Sequence, residues 1–122
     1  MSRVLTLEEA RDQLPRLKVI TRPVCELATS FAEELAELEE KKDKAAVELS
    51  RERLKTLVES WSGAVQELGG EVKGLWLVDF DSGDGCWCWA YPEEELGHWH
   101  SYEGGFGARV PIALKPDKSK AR

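Results

Sequence analysis

The apolar residues form two helical stripes and then, past Gly69-Gly70, a strand-like alternation. The first stripe is Val24, Ala28, Phe31, Leu35 and Leu38, in steps of four and three that draw one line down a helix. The second is Val47, Leu54, Leu57, Val58, Trp61, Val65 and Leu68. The two do not share a phase: whole heptads from Leu38 land on Ala45 and Glu52, whereas Leu54 carries the second line. The stripe is lost over residues 39–44, a run of Glu, Lys and Asp. The expected arrangement is two antiparallel helices joined by a charged turn. One long bent helix is the alternative, because no Gly or Pro forces the break. Glu37 with Lys41 and Glu40 with Lys44 stand in the favourable order for helical ion pairs.

Upstream, Thr6-Leu-Glu-Glu9 is a capping box, so a helix starts there. Pro15 fits best as the first residue of a second helix, since proline lacks an amide hydrogen. Pro23 repeats the interruption and predicts a kink or a fresh start at residues 21–24. The N-terminal part is therefore read as a short helix, then the hairpin.

Gly69-Gly70 stops the last helix. Residues 75–80 (LWLVDF) are strand formers, residues 81–85 (DSGDG) are turn chemistry, and residues 86–91 (CWCWAY) alternate, which is a hairpin signature. On the second strand Cys86, Cys88 and Ala90 share one face, and Trp87, Trp89 and Tyr91 the other. A third strand lies within residues 95–102, with Leu96, His98 and His100 on one face and Gly97 and Trp99 on the other. Residues 104–107 are a glycine loop, and residues 110–114 run along an edge where Pro111 is tolerated. The fold class is α+β: N-terminal helices with a long antiparallel helical hairpin, packed on a small antiparallel sheet of two or three strands. Residues 1–114 form one domain, helical over 1–70, with sheet and glycine loop over 71–114. Residues 115–122 read as a disordered basic tail.

Composition narrows the function. A net charge of −6 disfavours nucleic acid, which needs a basic face. The longest apolar run, residues 75–78, is too short to span a membrane. Acidic residues follow the N-terminus too soon for a signal peptide, and three cysteines without an export signal fit free thiols in the cytoplasm.

The chemistry concentrates between Gly74 and Arg109. This stretch holds four of the five tryptophans, both histidines, two of the three cysteines and seven acidic residues, with no Lys or Arg before Arg109. The metal candidates are Cys88, His98, His100 and Glu93: residues two apart on a strand share a face, so thiol and imidazole can meet on neighbouring strands. Zinc, iron or manganese are the divalent ions such a set takes. Asp79, Trp89, Trp99, Phe106 and Arg109 form a candidate binding patch, while a small sheet needs a partner layer and is expected to pack its tryptophans against the helical stripe around Trp61. The structural alternative makes the cysteines small apolar fillers and Arg109 the partner of one of many acids. No nucleophile is visibly paired with a base. Residues 81–85 lack the later bidentate glutamate of a calcium loop, and residues 104–107 lack the lysine and helix of a phosphate loop.

Across nearly its whole length the chain resembles a family of small bacterial proteins defined as a domain of unknown function, family 2203. The matching features, in order, are Leu5-Thr-Leu-Glu-Glu-Ala10 with Leu14-Pro15, Gly74-Leu75, Val78-Asp-Phe80, Asp84-Gly85 and Cys88-Trp89. Glu93, Glu95, Trp99-His100, Gly105-Phe106 and Arg109 with Pro111 follow. Ala90, Pro92 and His98 depart from that pattern, and Cys86 is particular to this chain. The resemblance implies a helical protein with a small sheet and no assigned activity. The first expectation for function is thus a non-catalytic interaction or assembly module, a homodimer or the binder of another protein through its acidic aromatic patch. The second is a metal-binding protein, or a metal-dependent enzyme, using the Cys/His/acidic cluster at 79–109.

Overall fold

The computed structural model describes residues 3–116. Helix α1 spans Leu7–Glu40 and helix α2 spans Lys44–Glu67. Five strands follow: β1 Glu71–Gly74, β2 Leu77–Asp81, β3 Cys86–Ala90, β4 His98–His100 and β5 Val110–Pro111. They form one antiparallel sheet in the order β1-β2-β3-β4-β5.

The helical hairpin is present, and its turn is the charged one. Lys42 takes a left-handed backbone (φ 57°), and the Asp43 carboxylate accepts from the Ala46 amide to cap α2. The capping box at Thr6 closes as expected: the Glu9 amide donates to Thr6 Oγ1 at 3.1 Å, and the Thr6 amide donates to Glu9 Oε1 at 2.8 Å.

The N-terminal region differs from expectation. Helix α1 is continuous over 34 residues, with Pro15 and Pro23 inside it. The reason lies in the stripe. Extended back from Val24 it runs through Thr21, Leu17, Leu14 and Ala10 in unbroken steps of three and four, and all four are buried. Both prolines lie on the exposed side, as do Arg11 and Val19, whose carbonyls lose the proline amides as partners. Water can serve those carbonyls there, and burial of the opposite face holds the helix through them.

The sheet is larger than the two or three strands expected. One added strand, β5, is the expected edge segment at residues 110–114, cut to Val110–Pro111; the other, β1, is a short edge strand that the sequence reading missed. β1, with the sequence Glu-Val-Lys-Gly, is half-exposed and poor in strand formers. β2 begins two residues later than the apolar run. Leu75 and Trp76 instead turn the chain between β1 and β2, with Trp76 at φ 65°. The Trp76 ring holds that turn by packing edge-on against Trp61, with centroids 4.9 Å apart.

One hydrophobic cluster joins helices and sheet: Ala10, Leu14 and Leu17 of α1, Trp61 and Val65 of α2, and Val78, Phe80, Trp87, Trp89 and Trp99 of the strands. Leu96 belongs to this cluster rather than to the histidine face, and its carbonyl accepts from the Arg11 guanidinium. Far from the sheet the hairpin is barely covered. Phe31, Leu35, Leu38, Val47, Leu54 and Leu57 are only half-buried. Lys115, placed by expectation in the disordered tail, is held at 2.6 Å from Asp84 Oδ2 and lies over Trp99. Residues 117–122 of that tail lie outside the described residues. No helix among the described residues is long and apolar enough to cross a membrane.

Candidate metal centre

Strand alternation sorts the chemistry onto one side of the sheet. Register pairs Asp79 with Cys88 and Cys88 with His98, and Asp81 with Cys86 and Cys86 with His100. Cross-strand partners share a face, so these residues lie opposite the tryptophan side that covers the helices. The β2–β3 turn sets this register: the Ser82 amide donates to the Gly85 carbonyl at 2.9 Å, and the Gly83 amide donates to Asp81 Oδ1 at 2.8 Å. Gly83 needs its positive φ of 90°, and a side chain at Gly85 would collide with the His100 carbonyl and the Trp99 ring.

At the centre of this face Asp79, Cys88 and His100 are buried, with 3%, 1% and 3% exposure. One ligand atom from each lies within 4.8 Å of the other two, and this is one group of three such donors among the described residues. His100 Nε2 is 2.8 Å from Asp79 Oδ2, and His100 Nδ1 is 2.7 Å from the Ser101 carbonyl. A carbonyl only accepts, so Nδ1 carries a hydrogen. The Nε2–Oδ2 contact then contains one shared proton, and Nε2 is the nitrogen turned to the cluster. A backbone carbonyl on the far ring nitrogen is the usual means of orienting a metal-binding imidazole.

The thiols are held protonated without a metal. Burial pushes Cys88 up to about 12, the Asp79 charge and hydrogen bond add to this, and the Arg109 guanidinium beside it opposes them. Cys86 is likewise pushed up to about 12, by burial first and then by Asp79. All three cysteines are free.

A second cluster borders the first. Arg109 donates to both oxygens of Glu93, Nη1 to Oε1 at 3.0 Å and Nη2 to Oε2 at 2.7 Å, and the Ala90 amide donates to Oε1 at 2.8 Å. Burial acts against the Glu93 charge, but the Arg109 and Ala90 hydrogen bonds outweigh it and keep the carboxyl below its usual range. His98 Nδ1 is 3.7 Å from Glu93 Oε2 and has no hydrogen-bond partner. The Arg109 guanidinium also lies 4.4 Å from the centroid of the Phe106 ring.

Of the four candidate ligands, the structure brings together Cys88 and His100. It keeps Glu93 and His98 in the neighbouring cluster, because Arg109 occupies both Glu93 oxygens. The third donor is Asp79, which the sequence reading placed in the binding patch. Its signal was present: an acid in the middle of an apolar strand, LVDFD. The Ser101 carbonyl that orients His100 left no mark in the sequence. The patch itself divides. Trp89 and Trp99 are buried on the helix side, at 0% and 7% exposure, and are closed to a partner. Phe106 stands at the rim of a cavity of about 300 Å³, which is lined by the three donors with Cys86, Asp81 and Tyr102.

A family model described as an uncharacterized conserved protein (DUF2203) matches residues 3–112. The chain belongs to the DUF2203 family. No curated protein and no solved structure matches it. The DUF2203 match takes in the helical hairpin, the sheet, all three donors and the Glu93–Arg109 pair.

Proposed function

We propose that this DUF2203 chain binds a divalent transition metal, zinc before others, through Asp79 Oδ2, Cys88 Sγ and His100 Nε2. The convergence of three buried donors within 4.8 Å carries this reading. One thiolate with one imidazole suits zinc and disfavours magnesium or calcium, which take oxygen sets. Three protein donors leave a fourth position, the open-site arrangement of zinc centres that meet a ligand.

Binding would exchange protons for metal. In a tetrahedral site with bonds of about 2.1 Å, two donors sit ~3.4 Å apart. The 2.8 Å between His100 and Asp79 is a hydrogen-bond length and must open by roughly 0.6 Å. The proton between them and the Cys88 thiol proton would leave, so affinity rises with pH. The test is elemental analysis of untagged protein purified without chelator, followed by zinc titration of stripped protein with proton release recorded. Near-stoichiometric zinc, lost in Cys88→Ala and His100→Ala, supports the reading. Protein that refuses added zinc makes the Asp79–His100 pair structural and overturns it.

Assembly rests on a different observation, the poorly covered distal hairpin. Leu27 and Leu49 are 45% and 64% exposed, beside the half-buried stripe. A second copy laid on that stripe would complete a four-helix layer and gives the homodimer a surface distinct from the aromatic patch. Mass in solution tests it, and a strict monomer at high concentration removes it.

A further inference from the structure

The cavity in front of the three donors has a character of its own. Its lining holds the carboxylates of Glu71, Asp79 and Asp81 and a single cation, Lys73, whose ammonium is 3.5 Å from Glu71. Asp79 is matched by His100. Among the described residues no cation matches Asp81: Tyr102 and the Gly83 amide both donate to its Oδ1, at 2.7 and 2.8 Å, and Oδ2 has no donor there. Phe106 and Tyr102 are 45% and 53% exposed at the rim, and Leu77 supplies an apolar wall. Exposed aromatics around a concave, partly apolar space mark a ligand site more than a folding requirement. Arg109, the strong anion binder nearby, is occupied by Glu93. About 300 Å³ is at the small end of ligand pockets.

We infer that this cavity takes a small ligand bearing an ammonium group, with the cation at Asp81 Oδ2 and the apolar body against Phe106, running across the metal-binding donors toward Leu77. The inference rests on the metal reading only where the body crosses those donors. The carboxylates repel an anionic ligand, and the ring of Tyr102, whose hydroxyl donates to Asp81, favours a cation over its face.

The probes are n-butylammonium, butyrate and n-butanol, titrated by NMR into zinc-loaded and zinc-stripped protein. The ammonium should bind about tenfold more tightly than the alcohol, the difference one partly desolvated ion pair with a ring contact provides. Butyrate should bind least. Asp81→Asn, which keeps the Oδ1 acceptor for Tyr102 and Gly83, should remove the preference for ammonium over butanol. Phe106→Leu should weaken ammonium and butanol alike. Zinc content of both variants should equal that of the parent. Butyrate binding to the zinc-stripped form as well as the ammonium does, or no probe binding to either form, overturns the inference. Ammonium binding to protein that never holds zinc would leave the cavity assignment standing and remove the metal reading alone.

Discussion

β3 turns Trp87 and Trp89 toward the helices and Cys86 and Cys88 toward the opposite side. On the helix side each buried indole of the strands has its hydrogen bonded: Trp87 to the Leu5 carbonyl, Trp89 to the Glu93 carbonyl and Trp99 to Ser82 Oγ. Two helices complete that layer. On the opposite side no α-helix among the described residues arrives, and the cover is the glycine loop with Tyr102 and Phe106. Polar donors there are buried under a thin roof and stay next to a cavity. One strand thus separates what holds the molecule together from what can bind, because its period of two sends neighbours to different environments.

The sharpest way to break this comparison is to damage each face in turn. Trp89→Ala should cost roughly 3–5 kcal/mol in urea unfolding, since a fully buried indole leaves a cavity that helices and sheet cannot close. A loss under about 1 kcal/mol would mean that this face is not the core. On the other face His100→Ala should cost about 3 kcal/mol, because Asp79 is left buried without its partner. Asp79→Ala with His100→Ala together should cost less than the sum of the single changes. Additive losses in that cycle would remove the pair as a unit. Cys88→Ala should cost only about 1 kcal/mol while abolishing zinc retention. A large stability loss in zinc-free protein would move Cys88 to the structural side of the comparison.

The smallest effect is in acid. The Glu93 carboxyl sits below its usual 4.5, with burial opposed and outweighed by Arg109 and Ala90. A depressed carboxyl stabilises the fold above its unfolded value, and this contribution fades as pH falls through the folded value. Stability should therefore decline below pH 4.5, and Glu93→Gln should flatten that limb while costing stability at neutral pH. An acid limb unchanged in Glu93→Gln would show that Glu93 does not couple to folding.

Legibility followed the range of the interactions. The helical hairpin, the capping box, the glycine stop and the β2–β3 turn all rest on contacts within a few residues, and all are visible in the chain. Pro15 and Pro23 misled because local rules end a helix at proline, whereas the buried stripe from Ala10 to Ala28, about five turns, carries it past. The β1 edge strand was missed for the converse reason: Glu71–Gly74 has little strand propensity and is a strand because β2 offers it a ladder. Trp89 and Trp99 pack on the helices as a small sheet's need for a partner layer predicts, and they also fell in the candidate patch because alternation shows which residues share a face, not which face the helices cover.

The chain's own pattern carries the two periods, 3.6 and then 2, and with them an α+β fold in which Cys86 shares a strand face with Cys88, and His98 with His100. It also determined the excess of acid around them. Only the tertiary structure decided that the tryptophan face meets the helices, that Asp79 rather than Glu93 joins Cys88 and His100, and that Arg109 is taken by Glu93. Those outcomes depend on register and on contacts between residues from 16 positions apart, as in Glu93–Arg109, to 85, as in Arg11–Leu96. Periodicity constrains the direction of a side chain, while its partner is settled only when the strands and helices meet.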